Sequence, residues 1–108
     1  PLYCTESECG QIELPGVPLG SFPGVTYDEV RIPLNRGDLF VFCTDGIFEA
    51  MTEDGTEFGA ARLRDVVHAH RDDAARVIVD AIFTAVAEFT GAGPHNDDMT
   101  AVAVKITR

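Results

Sequence analysis

An α+β layered domain with a mainly antiparallel sheet is the fold class this sequence predicts, and three observations carry that prediction. Strand-like segments crowd the first half, two helix-like segments follow, and one more strand ends the chain, whereas a Rossmann-like fold would alternate the two. The run Leu39-Phe40-Val41-Phe42-Cys43 is wholly apolar and rich in β-branched and aromatic residues, as a strand covered on both faces would be. No glycine-rich phosphate loop of the nucleotide-binding type interrupts the pattern.

The chain has 108 residues, enough for one domain with a core. Its composition is ordinary for a globular protein, 45% hydrophobic and 24% charged, but its net charge of -10 is not. That balance argues against nucleic acid and against anionic membrane surfaces, both of which would repel it. No apolar run approaches bilayer length and no signal peptide precedes Pro1, so no membrane insertion by this segment is expected. Three cysteines form an odd count with no even disulfide framework, which fits a reducing, cytoplasmic setting.

Taken in order, Leu2 to Thr5 and Gln11 to Leu14 read as two short strands joined by the polar turn Glu6 to Gly10. Cys4 and Cys9 flank that turn at a spacing outside the usual zinc pattern. Pro15 to Gly24 holds three prolines and three glycines in ten residues, an ordered loop that Leu19 and Phe22 should pin to the core. Val25 to Ile32 alternates like a half-buried strand. The organising strand from Leu39 then runs into Thr44-Asp45-Gly46.

Beyond it, Glu49 stands four residues after Asp45, a spacing that puts both carboxylates on one side of a helical turn. Thr52 to Thr56 is an acidic loop with its own Asp-Gly turn. Gly59 to about His70 reads as an amphipathic helix through Leu63, Val66 and Val67. A second helix, capped by Asp72 or Asp73 and closed by Gly91, shows polar residues only along the stripe of Arg76, Asp80, Thr84 and Glu88, so it should pack broadly on the sheet. Asn96 to Thr100 opens a last strand through Ile106.

If the strands from Leu39 and from Asn96 pair antiparallel, Asp45 and Asp97 converge at one edge of a sheet, with Glu49 and Asp98 near them. Carboxylates that close resist joint ionisation unless a cation sits among them. Oxygen-only donors suit Mg²⁺ or Mn²⁺ better than Zn²⁺. Two such ions can activate water and clamp a phosphoryl group. Spacing alone leaves plainer uses open: Asp-Gly is a common turn dipeptide, and Asp97 or Asp98 could cap a strand start. Adjacent strand residues face opposite ways, so at most one of Asp97 and Asp98 is a direct ligand. A zinc site of His68, His70 and His95 is disfavoured because His68 and His70 face different ways on a helix. Cys43 reads most simply as a core residue.

The phrases Gly37-Asp38, Thr44-Asp45-Gly46, Phe48-Glu49-Ala50, Asp54 to Gly59 and Asn96-Asp97-Asp98-Met99-Thr100-Ala101-Val102, with Leu14 to Gly20 before them, together resemble the metal-dependent protein phosphatases (PPM). The branch they resemble is the type-2C, SpoIIE-like group of sporulation and stress response. The resemblance implies an α-β-β-α sandwich and a binuclear Mn²⁺ or Mg²⁺ centre. It implies hydrolysis of phosphoserine or phosphothreonine on a regulatory protein, of the anti-anti-sigma type in this branch, and so a role in sigma factor regulation.

By position, Asp45 and Asp97 match two metal-ligating, catalytic aspartates of that family; Gly46, Glu49 and Asp98 border them without being counted as ligands. The family's remaining metal aspartates, one of them before a Gly-His-Gly-like turn, belong to an N-terminal half with no counterpart in these residues. Residues 1–108 are therefore expected to be the C-terminal portion of one phosphatase domain, inactive alone, with an exposed sheet edge that invites self-association. The alternative is a noncatalytic phosphatase-like module that docks a regulatory partner.

Overall fold

A computed structural model describes residues 1–6, 8–14, 16–91, 93 and 98–107. Its elements are β1 (Leu2–Cys4), β2 (Cys9–Gln11), β3 (Leu39–Cys43), α1 (Asp45–Phe48), α2 (Gly59–Ala69), α3 (Ala75–Thr90) and β4 (Ala101–Lys105). The strands form one antiparallel sheet in the order β2-β1-β3-β4. The apolar run is thus an inner strand, with Leu2 opposite Val41 on one side and Ala103 opposite Val41 on the other. Beyond the paired residues the β3–β4 ladder continues, Gly37 N–H donating to Ile106 O at 2.7 Å and Ile106 N–H to Asp38 O at 2.8 Å.

Strand alternation sends Leu2, Cys4, Leu39 and Val41 to one face, where they are buried with Leu63 and Val67 of α2 and Ile78, Ile82 and Val86 of α3. The stripe of Arg76, Asp80, Thr84 and Glu88 is exposed as expected. Gly91 ends α3 at φ 52, a left-handed conformation that favours glycine. Phe58 meets Phe89 edge to face at 5.6 Å, and Arg62 lies 4.4 Å over the Phe89 ring, joining the start of α2 to the end of α3. Lys105 Nζ donates to Arg71 O and Asp73 O at 2.9 and 2.7 Å, tying β4 to the turn between the helices.

The other sheet face carries Tyr3, Phe40, Phe42, Val102 and Val104 and, among the described residues, no helix. Phe42 and Val102, paired across the strands, remain 45% and 48% exposed, so β3 is covered on one face and not on both as its composition predicts: the apolar second face has no layer over it among the described residues. One molecular dimension is only 19 Å, about one strand layer plus one helix layer. The chain is therefore an incomplete α-β-β-α sandwich, a single sheet with helices on one side.

Several expectations are corrected. The second strand is Cys9–Gln11, earlier than Gln11 to Leu14, because the Thr5 N–H bond to Glu8 O at 2.9 Å closes a tighter turn. Cys4 and Cys9 then face each other and form a disulfide, with Cα atoms 4.1 Å apart, so the odd count is one bridge plus free Cys43. Residues 25–32 form no strand: the segment joins neither edge of the sheet, and most of it is exposed. Leu19 and Phe22 do not pin their loop: they are 87% and 64% exposed. Neither Asp72 nor Asp73 caps α3; Ala74 occupies that position, and the Asp73 carboxylate instead meets His70 Nδ1 at 2.9 Å.

Candidate functional site

The site grows from the end of β3. Residue Thr44 is still extended, at φ -77 and ψ 163, and the chain then closes one helical turn, with Ile47 N–H donating to Thr44 O at 3.1 Å and Glu49 N–H to Asp45 O at 2.8 Å. Ile47 is fully buried and anchors that turn in the core, which leaves Asp45 at its start exposed. Glu49, one turn on, is exposed as well.

The start of β4 lies against this turn. Cys43 pairs with Ala101, and Thr44 N–H donates to Thr100 O at 3.0 Å. Thr100 N–H in turn donates to the Thr44 hydroxyl at 3.0 Å, and that hydroxyl reaches Asp98 O at 3.4 Å. Gly46 is buried against the same carbonyl: a Cβ there would stand 2.1 Å from Asp98 O, so only glycine admits this approach. Exposed Asp45 and Glu49 thus lie, at one rim, on the turn against which the backbone of exposed Asp98 closes. Asp97, like Asn96 and His95, lies outside the described residues.

The sequence reading missed Thr44, although a hydroxyl residue directly before Asp-Gly at a strand end was the available signal. It also left Asp38 without a role. Asp38 is only 3% exposed, and its Oδ2 accepts from Tyr3 OH at 2.7 Å and from Asn35 N–H at 2.9 Å. That bond, more than the added Coulomb repulsion, raises the Tyr3 phenol above its ordinary value. The partly buried Cys43 thiol, next to the rim, is pushed up to about 11 by loss of solvent. Asp54 accepts from the hydroxyls of Thr52 and Thr56, which lower its carboxyl and shape the loop after α1.

The exposed carboxylates of the rim are hard oxygen donors, and their chemistry fits Mg²⁺ or Mn²⁺. Among the described residues no three His, Cys, Asp or Glu side chains gather closely enough to hold an ion. His68 and His70 are engaged elsewhere, by Arg71 and Asp73. An open groove of about 600 Å³ between α2 and α3, floored by Val66, Ala81 and Ala85, includes none of the rim residues.

The same architecture occurs in solved phosphatase domains of the PP2C type. The SiaA-PP2C domain of Pseudomonas aeruginosa superposes with a TM-score of 0.69 at 28% identity, over 77% of this chain and 34% of that one. The PP2C phosphatase domain of the Bacillus subtilis cell fate determinant SpoIIE, solved with a fragment of its regulatory domain, superposes with a TM-score of 0.75 at 24% identity, over 97% and 30%. A manganese-presoaked form of the SpoIIE phosphatase domain gives 0.69 at 21% identity, over 98% and 45%. No curated protein sequence matches the chain significantly. The fold is that of a PP2C-type phosphatase domain, of which the chain spans less than half the length of these neighbours. The family model for stage II sporulation protein E (SpoIIE) matches residues 1–107, and the chain belongs to that family.

Proposed function

We propose that residues 1–108 are the C-terminal portion of a metal-dependent protein serine/threonine phosphatase domain. One observation carries this reading: the antiparallel register of β3 and β4 brings Asp45 to the rim that Asp98, the chain neighbour of Asp97, also occupies. Asp45 and Asp97 are the residues that would hold divalent cations, with Gly46, Glu49 and Asp98 around them. When bound, a pair of Mn²⁺ or Mg²⁺ ions supplies Lewis acidity for hydrolysis of a phosphate ester by water.

The chain's own residues supply position and charge. Buried Ile47 fixes the turn that presents the Asp45 carboxylate, and Gly46 lets the Asp98 backbone close against it. Glu49 adds a second negative charge one turn away, favouring a cation over a bare phosphate at the rim. The substrate is a phosphorylated regulatory protein of the anti-anti-sigma type, acted on in the cytoplasm. No helix among the described residues is long and apolar enough to cross a membrane. These residues alone are inactive, because the ligands beyond Asp45 and Asp97 come from the rest of the domain. The outer strands β2 and β4 are the edges through which they would self-associate.

The test is a Mn²⁺ titration of p-nitrophenyl phosphate turnover by the complete domain and its Asp45→Asn and Asp97→Asn variants. Both variants are expected to lose turnover with the fold retained. Undiminished activity in either would refute the assignment, and metal-independent partner binding without turnover would make the protein a docking module instead.

A further inference from the structure

We propose that Thr44 is a positioning residue, its hydroxyl standing in for a backbone acceptor and thereby holding the Asp98 backbone that leads into β4 against the turn that carries Asp45. This rests on the metal-site reading above. In a continuous antiparallel pair, Thr44 and Thr100 would exchange two backbone bonds. Only one is made here, Thr44 N–H to Thr100 O at 3.0 Å. The Thr44 carbonyl has turned into the first helical turn, where it accepts from Ile47 N–H at 3.1 Å. Thr100 N–H therefore needs another acceptor, and the Thr44 hydroxyl provides it at 3.0 Å.

The same oxygen then reaches Asp98 O at 3.4 Å. One side chain thus lets β3 become a helix at Asp45 while its ladder to β4 runs one residue further, up to the acidic segment. A β-hydroxyl has the reach for this. An isosteric valine fills the same space without an acceptor, so Thr100 N–H loses its partner and the Asp98 carbonyl loses the hydroxyl beside it. Residues that orient metal ligands without touching the ion typically change metal affinity by about 10–100-fold when removed.

The experiment compares Thr44→Val, Thr44→Ser and Asp45→Asn in the complete protein. It reads hydrogen exchange at the Thr100 amide and Mn²⁺ affinity from the paramagnetic resonance of free Mn²⁺. Thr44→Val is expected to lose Thr100 protection and to bind Mn²⁺ about 10–100-fold more weakly. Thr44→Ser should keep both, and Asp45→Asn should lose Mn²⁺ while keeping Thr100 protected. Wild-type Mn²⁺ affinity in Thr44→Val, or equal loss in Thr44→Ser, overturns the role of the hydroxyl alone. A wild-type protein that binds no Mn²⁺ overturns the metal-site reading and this role with it.

Discussion

Gly46 stands against the carbonyl oxygen of Asp98 so closely that a Cβ would come within 2.1 Å of it. The neighbour is backbone, held in the β3–β4 ladder through Thr100, so it cannot swing aside as a flexible side chain would. Gly46→Ala is therefore expected to push the start of β4 off α1. It should cost about 1–3 kcal/mol of stability and weaken Mn²⁺-dependent turnover in the complete domain. Thermal melts together with the metal titration check this; an alanine variant equal to wild type in both would show that the two segments are not held together here.

At the opposite end of β3, Asp38 is the acceptor that fastens β1 and the preceding turn. Its carboxylate is buried and takes bonds from Tyr3 and from the Asn35 amide. Asp38→Ala should destabilise by about 2–3 kcal/mol, since hydrogen bonds to a charged group are the stronger kind. Tyr3→Phe removes one of the two bonds and should cost less. In Asp38→Ala the Tyr3 phenol should also titrate at lower pH, because the bond that raises it is gone. Spectrophotometric tyrosine titration reads that shift.

Cys43 links stability to alkaline pH. Burial raises its folded pKa from 9.0 to about 11, so with rising pH the unfolded chain gives up the thiol proton first. Its contribution is fully present below about 9 and is lost as pH climbs toward about 11. Denaturant midpoints of wild type and Cys43→Ala should differ in slope only inside that window. Alkylation of Cys43 should likewise be slow below it, as the thiolate is the reactive form.

The Cys4–Cys9 bridge closes a short loop, with a sequence separation of 5. Loop-closure entropy gives a bridge of that size about 2 kcal/mol. Reduction, or a Cys4→Ser/Cys9→Ser double variant, should lower the melting temperature accordingly and speed hydrogen exchange in β2, whose other residues are exposed. Exchange unchanged on reduction would mean that the ladder to β1 suffices without the bridge.

What was legible in advance was whatever consecutive residues encode. The run from Leu39 to Cys43, the helix of Leu63 and Val67, and the polar stripe from Arg76 to Glu88 announce themselves through period and composition, and the structure has each where the sequence places it. The pairing of the end of β3 with the start of β4 was legible too, because an antiparallel partner for an apolar strand dictates which ends lie together; Asp97, expected beside Asp45, lies outside the described residues. The strand expected at residues 25–32 and the anchoring of Leu19 and Phe22 failed for one reason. Alternation marks a surface that prefers burial but does not say whether anything is there to cover it.

By itself the sequence determined the α+β class and the order of the main elements. Tertiary structure alone decided that Cys4 faces Cys9, that Asp38 collects Tyr3 and Asn35, and that Thr44 lends its hydroxyl to β4 when its carbonyl turns into α1. Each of these depends on register or on a change of backbone direction between segments. Such relations are properties of pairs of strands and turns in space, and no single stretch of residues contains them.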